Sequence, residues 1–440
     1  MTDAVIAGPT AGAGAKLRRP DLSEARIRRR YAAERRFRLY GMLAIGFAVF
    51  MLGFLAVTVV AQGYSAFWQT RIALDVNIAA DKVDPAGTRL PESLSTGDYQ
   101  AVARDSLRDL FPEATSRADR RALNDFLSNA AGDDVRRLVM ENPNLVGTTQ
   151  RIEVLASTDI DMLAKGRISR DAAEADRPIK DQAIAWYDKL EAEGRIGSTF
   201  NVDFFATGDS REPEQAGLGG AMMGTFLTIV TAILLSLPIS VAAAIYLEEF
   251  APKNKLTDII EVNINNLAAV PSIVFGLLGL AVLLGFFGLP RGAPLVGGMV
   301  LSLMTLPTII IATRAALKAV PPSIREAAYG VGASKQQVVM HHVLPLAMPG
   351  IMTGAIIGTA RAMGESAAVL MIGMVAFIVD VPTSITDSST VLPVQIYLWA
   401  DAPERGFVER TSAGIMVMLV FLVLMNAAAV IIRRKFERRW

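Results

Sequence analysis

Apolar and charged positions alternate along the chain in long blocks. Residues 41–62 hold 22 positions without a charge, and about 20 apolar residues in a helix cross a bilayer. Five further apolar blocks follow: 217–247 with Pro238 inside, 262–290 with Pro271-Ser272, 293–313 with Pro307, 346–378, and 411–432. The pattern predicts six transmembrane helices. Between the first two lies a hydrophilic insert, 63–216, with 19 basic and 27 acidic residues, a net charge of −8. Within it Tyr99, Val102, Leu107, Leu110 and Phe111 recur at helical spacing, as do Leu123, Phe126 and Leu127, and Ile184, Tyr187 and Leu190. Residues 151–154 and, more cleanly, 200–204 alternate as strands do. The insert reads as a small α+β domain with a solvated charged surface, and no catalytic constellation stands out in it.

Residues 1–40 form a polar tail with ten Lys or Arg against four Asp or Glu. Its first fifteen residues read as disordered and 21–40 as a basic helix. That helix either meets anionic head groups or serves as the positive flank that fixes topology. Short polar loops at 248–261 and 289–292, a longer one at 380–410 and a basic end at 433–440 complete the chain. With the N-terminus inside, 21 Lys or Arg fall on that side and only Arg291, Arg405 and Arg410 in the two short outer loops. This is the positive-inside bias; the insert is left out because long domains cross regardless of charge. Both termini are then cytoplasmic and the insert is extracytoplasmic.

Composition narrows the chemistry. The 440 residues are 52% hydrophobic with a mean hydropathy of +0.37 and a net charge of +1, so nothing points to nucleic acid. There is no Cys, which excludes disulfides and thiolate metal sites. The only two His, His341 and His342, are adjacent. No phosphate-cradling P-loop pattern appears, so ATP is not expected to bind this chain.

The polar island 321–350 (PPSIREAAYGVGASKQQVVMHHVLPLAMPG) separates two apolar blocks. Pro321 and Pro322 mark a helix entry. Ser323 and Glu326 have the spacing of a capping box. Gly332 should stop the helix after about two turns, and a second helical run should end at Leu344-Pro345. A short helix exposed to water stabilises itself poorly; docking into a groove on a partner is one reason to keep it. In the fifth block, Arg361 and Glu365 lie at i and i+4, where they share a helix face and can pair. Arg361 is the only basic residue inside the six predicted spans. A charge at that depth usually faces a cavity or a partner. A guanidinium fork fits the oxygens of an oxyanion, so the pair reads either as part of an anion path or as a buried structural salt bridge.

Glu326-Ala327-Ala328, Gly332 and Leu344-Pro345 resemble the EAA loop of ABC importer permeases, with His342 standing where that family usually has Ile or Val. Ala360-Arg361-Ala362, Gly364-Glu365-Ser366 and the stretch 392–397 (LPVQIY), with the closing 436–440 (FERRW), resemble the PstA family of phosphate transport permeases over about 217–440. The resemblance implies a type I ABC importer permease fold in a bacterial inner membrane, and an insert like that of longer members. It implies a coupling loop (321–345) in which Glu326, Ala327, Ala328, Gly332, Leu344 and Pro345 meet an ATPase, and a substrate path with Arg361, Glu365 and Ser366. It also implies a heterodimer with PstC, two copies of the ATPase PstB holding ATP and Mg, and the extracytoplasmic phosphate-binding protein PstS. The chain itself is expected to be a transport subunit with no cofactor and no enzymatic activity of its own. Two other readings stand beside it: a permease for another oxyanion such as sulfate, molybdate or phosphonate, and a membrane-anchored receptor whose insert senses a ligand.

Overall fold

This computed structural model of the protein describes residues 24–375 and 377–436. The segment expected to be disordered (1–15) and the closing 437–440 lie outside the described residues. The chain divides into two compact units at residue 58. The first holds most of a single helix, α1 (Glu24–Gly63), 40 residues long. No break separates its basic first half from the apolar span; the helix runs on through residue 40. Arg, Glu and Ala are good helix formers; they dominate 24–40, which holds no Gly or Pro and leads directly into the apolar block.

The second unit begins with the insert. Its sheet has the order β2-β1-β3, built from β1 (Trp68–Asn77), β2 (Thr149–Leu155) and β3 (Ile196–Phe200), all antiparallel. Helices α2 (Tyr99–Asp109), α3 (Ala131–Glu141), α4 (Thr158–Ala164) and α5 (Asp181–Ala192) are among those that surround it. β1 is central: Ile72 faces Val154 on one side and Ile196 on the other. Its Ile72, Leu74 and Val76 are fully buried in a core shared with Leu107, Phe111 and Trp186. Each such side chain contributes about 1.5–3 kcal/mol on burial. The strand expected at 200–204 is displaced. Asn201 Oδ1 accepts from the Phe204 N–H at 3.0 Å, which turns the chain, and 203–206 coil into a helical turn.

The membrane part contains α6 (Gly219–Ile245), α7 (Lys255–Ala268), α8 (Ser272–Leu278), α9 (Pro294–Lys318), α10 (Pro322–Gly330), α11 (Leu344–Met363), α12 (Ala367–Met371), α13 (Leu392–Ala400) and α14 (Gly406–Phe436). Among the described residues five helices are long and apolar enough to cross a membrane, or six when a bent helix pair is counted as one span. α6 packs along α9, and α9 along α11. Small residues permit the close approach: a Cβ at Gly354 would lie 2.3 Å from the Ala312 Cβ, and one at Gly350 2.6 Å from that of Ala316. Ser240 Oγ donates to Leu306 O at 3.1 Å, linking α6 and α9, each of which has a proline inside it.

Two spans and one loop differ from the expected pattern. The third span is not straight: α7 and the segment from Ser272 to Phe286 meet at 104°. Pro271 lacks an N–H and holds Val270 out of helical conformation, so the helix ends there. The fifth ends at Met363 rather than running to 378, because Gly364 N–H closes tightly onto Arg361 O and Glu365 N–H onto Ala362 O, both at 3.2 Å. The loop expected at 380–410 contains α13, whose Leu392, Val394 and Trp399 are buried.

Candidate functional site

α10 is entered through Pro321 in extended conformation (φ −55°, ψ 137°), which puts Ser323 already inside the first turn. No side chain caps this helix, so the Ser323–Glu326 capping box is absent. The box forms one helix later. Ser334 Oγ accepts from Gln337 N–H and Gln337 Oε1 accepts from Ser334 N–H at 2.8 Å. The end of α10 follows the sequence. Gly332 stands at φ +87°, its N–H bonds to Tyr329 O at 2.9 Å, and Ala333 N–H bonds to Ala328 O at 3.1 Å. This is the Schellman arrangement, which needs a residue that tolerates left-handed backbone. The second helical run does not stop at Leu344-Pro345. A wide π-type turn over Val338–Val343 leads into α11, with Pro345 in its first turn, where a missing N–H costs little.

The two faces of α10 differ. Ala328 is buried with Leu317, Val338, Val343 and Ile351, and Ile324 and Leu344 pack against that cluster. Glu326, Ala327, Tyr329 and Val331 are exposed on the other face. His341 and His342 are exposed as well, and line a cavity of about 670 Å³ with Val320, Ile324 and Pro349.

Ion pairs brace this end of the bundle. Arg325 donates to Glu249 Oε1 at 2.8 Å, to Val320 O at 2.7 Å and to Leu317 O at 2.9 Å. It ties α10 to the turn after α6 and covers the last carbonyls of α9, which a helix end leaves open. Arg314 bonds Glu261 at 2.7 Å and Glu248 at 3.3 Å, and Lys318 lies 3.4 Å from Glu248. Sequence reasoning passed over these residues. It ended the fourth span at 313, one residue before Arg314, although α9 continues to Lys318.

Arg361 is exposed near the end of α11, while Glu365 and Ser366 are half-buried in the break between α11 and α12. The break takes Glu365 off the helical face of Arg361, and among the described residues no ion pair joins them; the expected i, i+4 pair is not formed. Glu365 instead lines a gap with Thr225, Thr228, Leu301 and Pro393, of about 10 Å³, room for about one water. Thr228 is 1% exposed and its hydroxyl has no partner among the described residues. An unpartnered buried hydroxyl is costly, so this gap favours a polar guest.

Residues 236–440 match the model of the binding-protein-dependent transport system inner membrane component, and 24–174 match a domain of unknown function, DUF3333. A phosphate transport system permease protein PstA 2 of Mycobacterium bovis is 34% identical over 227 residues, 51% of this chain and 74% of that one. This chain belongs to the binding-protein-dependent ABC transporter permeases. A probable ABC transporter permease protein, YqgI, of Bacillus subtilis is 32% identical over 174 residues, 39% of this chain; the match spans 58% of YqgI. The solved methionine ABC transporter MetNI in an inward-facing conformation aligns with 50% of this chain and 95% of its own at 20% identity, with a TM-score of 0.40. As a multi-pass permease it carries its motif residues in two places. Glu326, Ala327, Ala328, Gly332, Leu344 and Pro345 gather around α10, whereas Arg361, Glu365 and Ser366 gather at the break after α11. Thr228 joins the second group; in the sequence it is one Thr among several in an apolar block, with nothing to single it out.

Proposed function

We propose that this permease is the translocation subunit of an ATP-driven phosphate importer, working as a heterodimer with PstC, with a PstB dimer as ATPase and PstS as phosphate donor. ATP and Mg belong to PstB. The exposed face of α10, with Glu326, Ala327 and Tyr329, docks on PstB. Residues 1–40 and the C-terminus lie in the cytoplasm of a bacterial cell and 63–216 outside it.

The observation that carries the reading is Arg361: an exposed guanidinium on an apolar membrane helix, with no carboxylate partner among the described residues, in a chain related to named phosphate permeases. Such a charge needs a counter-anion or a wet path. Phosphate near neutral pH keeps at least one P–OH, whereas sulfate keeps none. A carboxylate beside the path accepts a hydrogen bond from the first and repels the second, which is the role assigned to Glu365. The test is the purified complex in liposomes with PstS. ATP hydrolysis should rise with phosphate-loaded PstS and stay at its basal rate with sulfate or molybdate. A rise with sulfate alone assigns the chain to another oxyanion, and no rise with any oxyanion removes the importer reading.

A further inference from the structure

The insert carries an apolar patch that nothing among the described residues covers. Tyr64, Trp68, Phe200 and Val202 are 55, 46, 54 and 62% exposed. Trp68 and Phe200 belong to an aromatic cluster. Trp68 meets Phe200 edge-on at 6.1 Å, Phe200 stacks on Phe205 at 6.1 Å, and Phe205 stacks on Phe67 at 5.8 Å. Phe204, buried beneath, anchors the group. A contiguous aromatic surface of this kind on a polar domain marks an interaction site.

Its position says what covers it. Tyr64 is the first residue after α1. A Cβ at Gly63 would lie 2.6 Å from Ala413 N, close to where the apolar block of α14 begins. On the other side, Phe204 O accepts from Leu218 N–H at 2.7 Å, at the head of α6. The outer ends of three membrane helices therefore converge on the rim of the patch. Arg167 stands at the same level, donating to Ala61 O, Gln62 O and Ser65 Oγ at 2.9, 3.0 and 2.9 Å. A guanidinium flanking Trp and Tyr at the ends of spans is the composition of a membrane–water boundary, where an aromatic ring keeps its apolar body in the acyl region and its polar atom in the head groups.

We infer that Tyr64, Trp68, Phe200 and Val202 seat the insert on the lipid head-group boundary of its own leaflet. The insert lies against the membrane, and its partner at this face is lipid rather than protein. The chain has no Cys, so Val202→Cys adds a single thiol at an exposed position where the smaller side chain leaves the fold intact. A nitroxide there, with the complex in phosphatidylethanolamine–phosphatidylglycerol vesicles, is read by its collisions with oxygen, which concentrates in lipid, and with a water-soluble nickel chelate. Tyr64→Cys is the second site and must report the same environment; Glu92→Cys, exposed and originally charged, is the aqueous reference. The expected result is oxygen favoured over the chelate at 202 and 64 and the reverse at 92. Chelate access at 202 and 64 equal to that at 92 overturns the inference, and so does exclusion of both reagents, which would mean a protein partner covers the patch.

Discussion

Arg325 is the residue on which the geometry of α10 turns, and removing its guanidinium breaks three hydrogen bonds together. Hydrogen bonds to a charged group are worth about 1.5–3 kcal/mol each when shielded. These are only partly shielded, since the side chains of Arg325 and Glu249 are 22% and 11% exposed. Losing a partner from a fully buried pair costs about 3–5 kcal/mol; the partial exposure here argues for the lower end, about 3 kcal/mol for Arg325→Ala. At 1.4 kcal/mol per tenfold that is on the order of 100-fold in the equilibrium between held and released α10. Arg325→Lys keeps the charge but cannot reach three acceptors, so it should lose most of this. Glu249→Gln keeps an acceptor and should lose about 1 kcal/mol. The assay is amide hydrogen exchange over 323–333, which reads local opening. Arg325→Ala should speed exchange there about 100-fold, with the ladder of α6 unchanged. Equal protection in Arg325→Ala and the wild type would refute the bracing role.

Other outcomes follow from single sites. Gly332→Val forces a branched residue to φ +87° with no neighbour within 4 Å, so the cost is backbone alone, about 1–2 kcal/mol, seen as fraying of α10; Gly332→Asn, which tolerates that conformation, should lose less, and equal effects would place the cost elsewhere. Burial raises the Glu214 carboxyl above its ordinary value against hydrogen bonds from Ser128 and Thr158. Because the folded-state value is raised, the protonated form suits the fold, and stability falls as pH climbs from the ordinary glutamate range through the raised value; Glu214→Gln should flatten the melting temperature over that window, and an unchanged profile would show that another group sets it. Glu365→Gln should leave assembly intact and weaken discrimination, read as stronger inhibition of phosphate uptake by sulfate; unchanged competition would remove Glu365 from selectivity.

The legibility of the chain followed the length and purity of each signal. Uncharged blocks of twenty residues or more are unambiguous, and each coincides in the structure with a helix, or a bent helix pair, long and apolar enough to cross a membrane. Gly332 was readable because a helix stop and a positive φ coincide in one residue. What failed was local. A capping box was read at Ser323–Glu326, yet Pro322 starts the helix a residue too early for it and the same pattern works at Ser334–Gln337. The third block was read as one span with Pro271-Ser272 inside it, and no spacing in the sequence gives the 104° by which the chain bends there. The i, i+4 spacing of Arg361 and Glu365 assumed a helix that Gly364 ends. β1 was missed although Ile72, Leu74 and Val76 alternate, because the strand is buried on both faces along much of its length and the polar–apolar contrast is weak. Arg325–Glu249 and Thr228 are products of tertiary folding, joining or exposing groups that no spacing relates.

Uptake of radiolabelled phosphate into cells lacking every other phosphate importer, with this chain supplied alongside PstC, PstB and PstS, tests the central claim most directly. Uptake should need this chain, fall away when unlabelled phosphate competes but not when sulfate does, and be lost in an assembled Arg361→Lys complex, which keeps the charge and loses the fork. Uptake that proceeds without the chain, or undiminished phosphate uptake by an assembled Arg361→Lys complex, would contradict the claim.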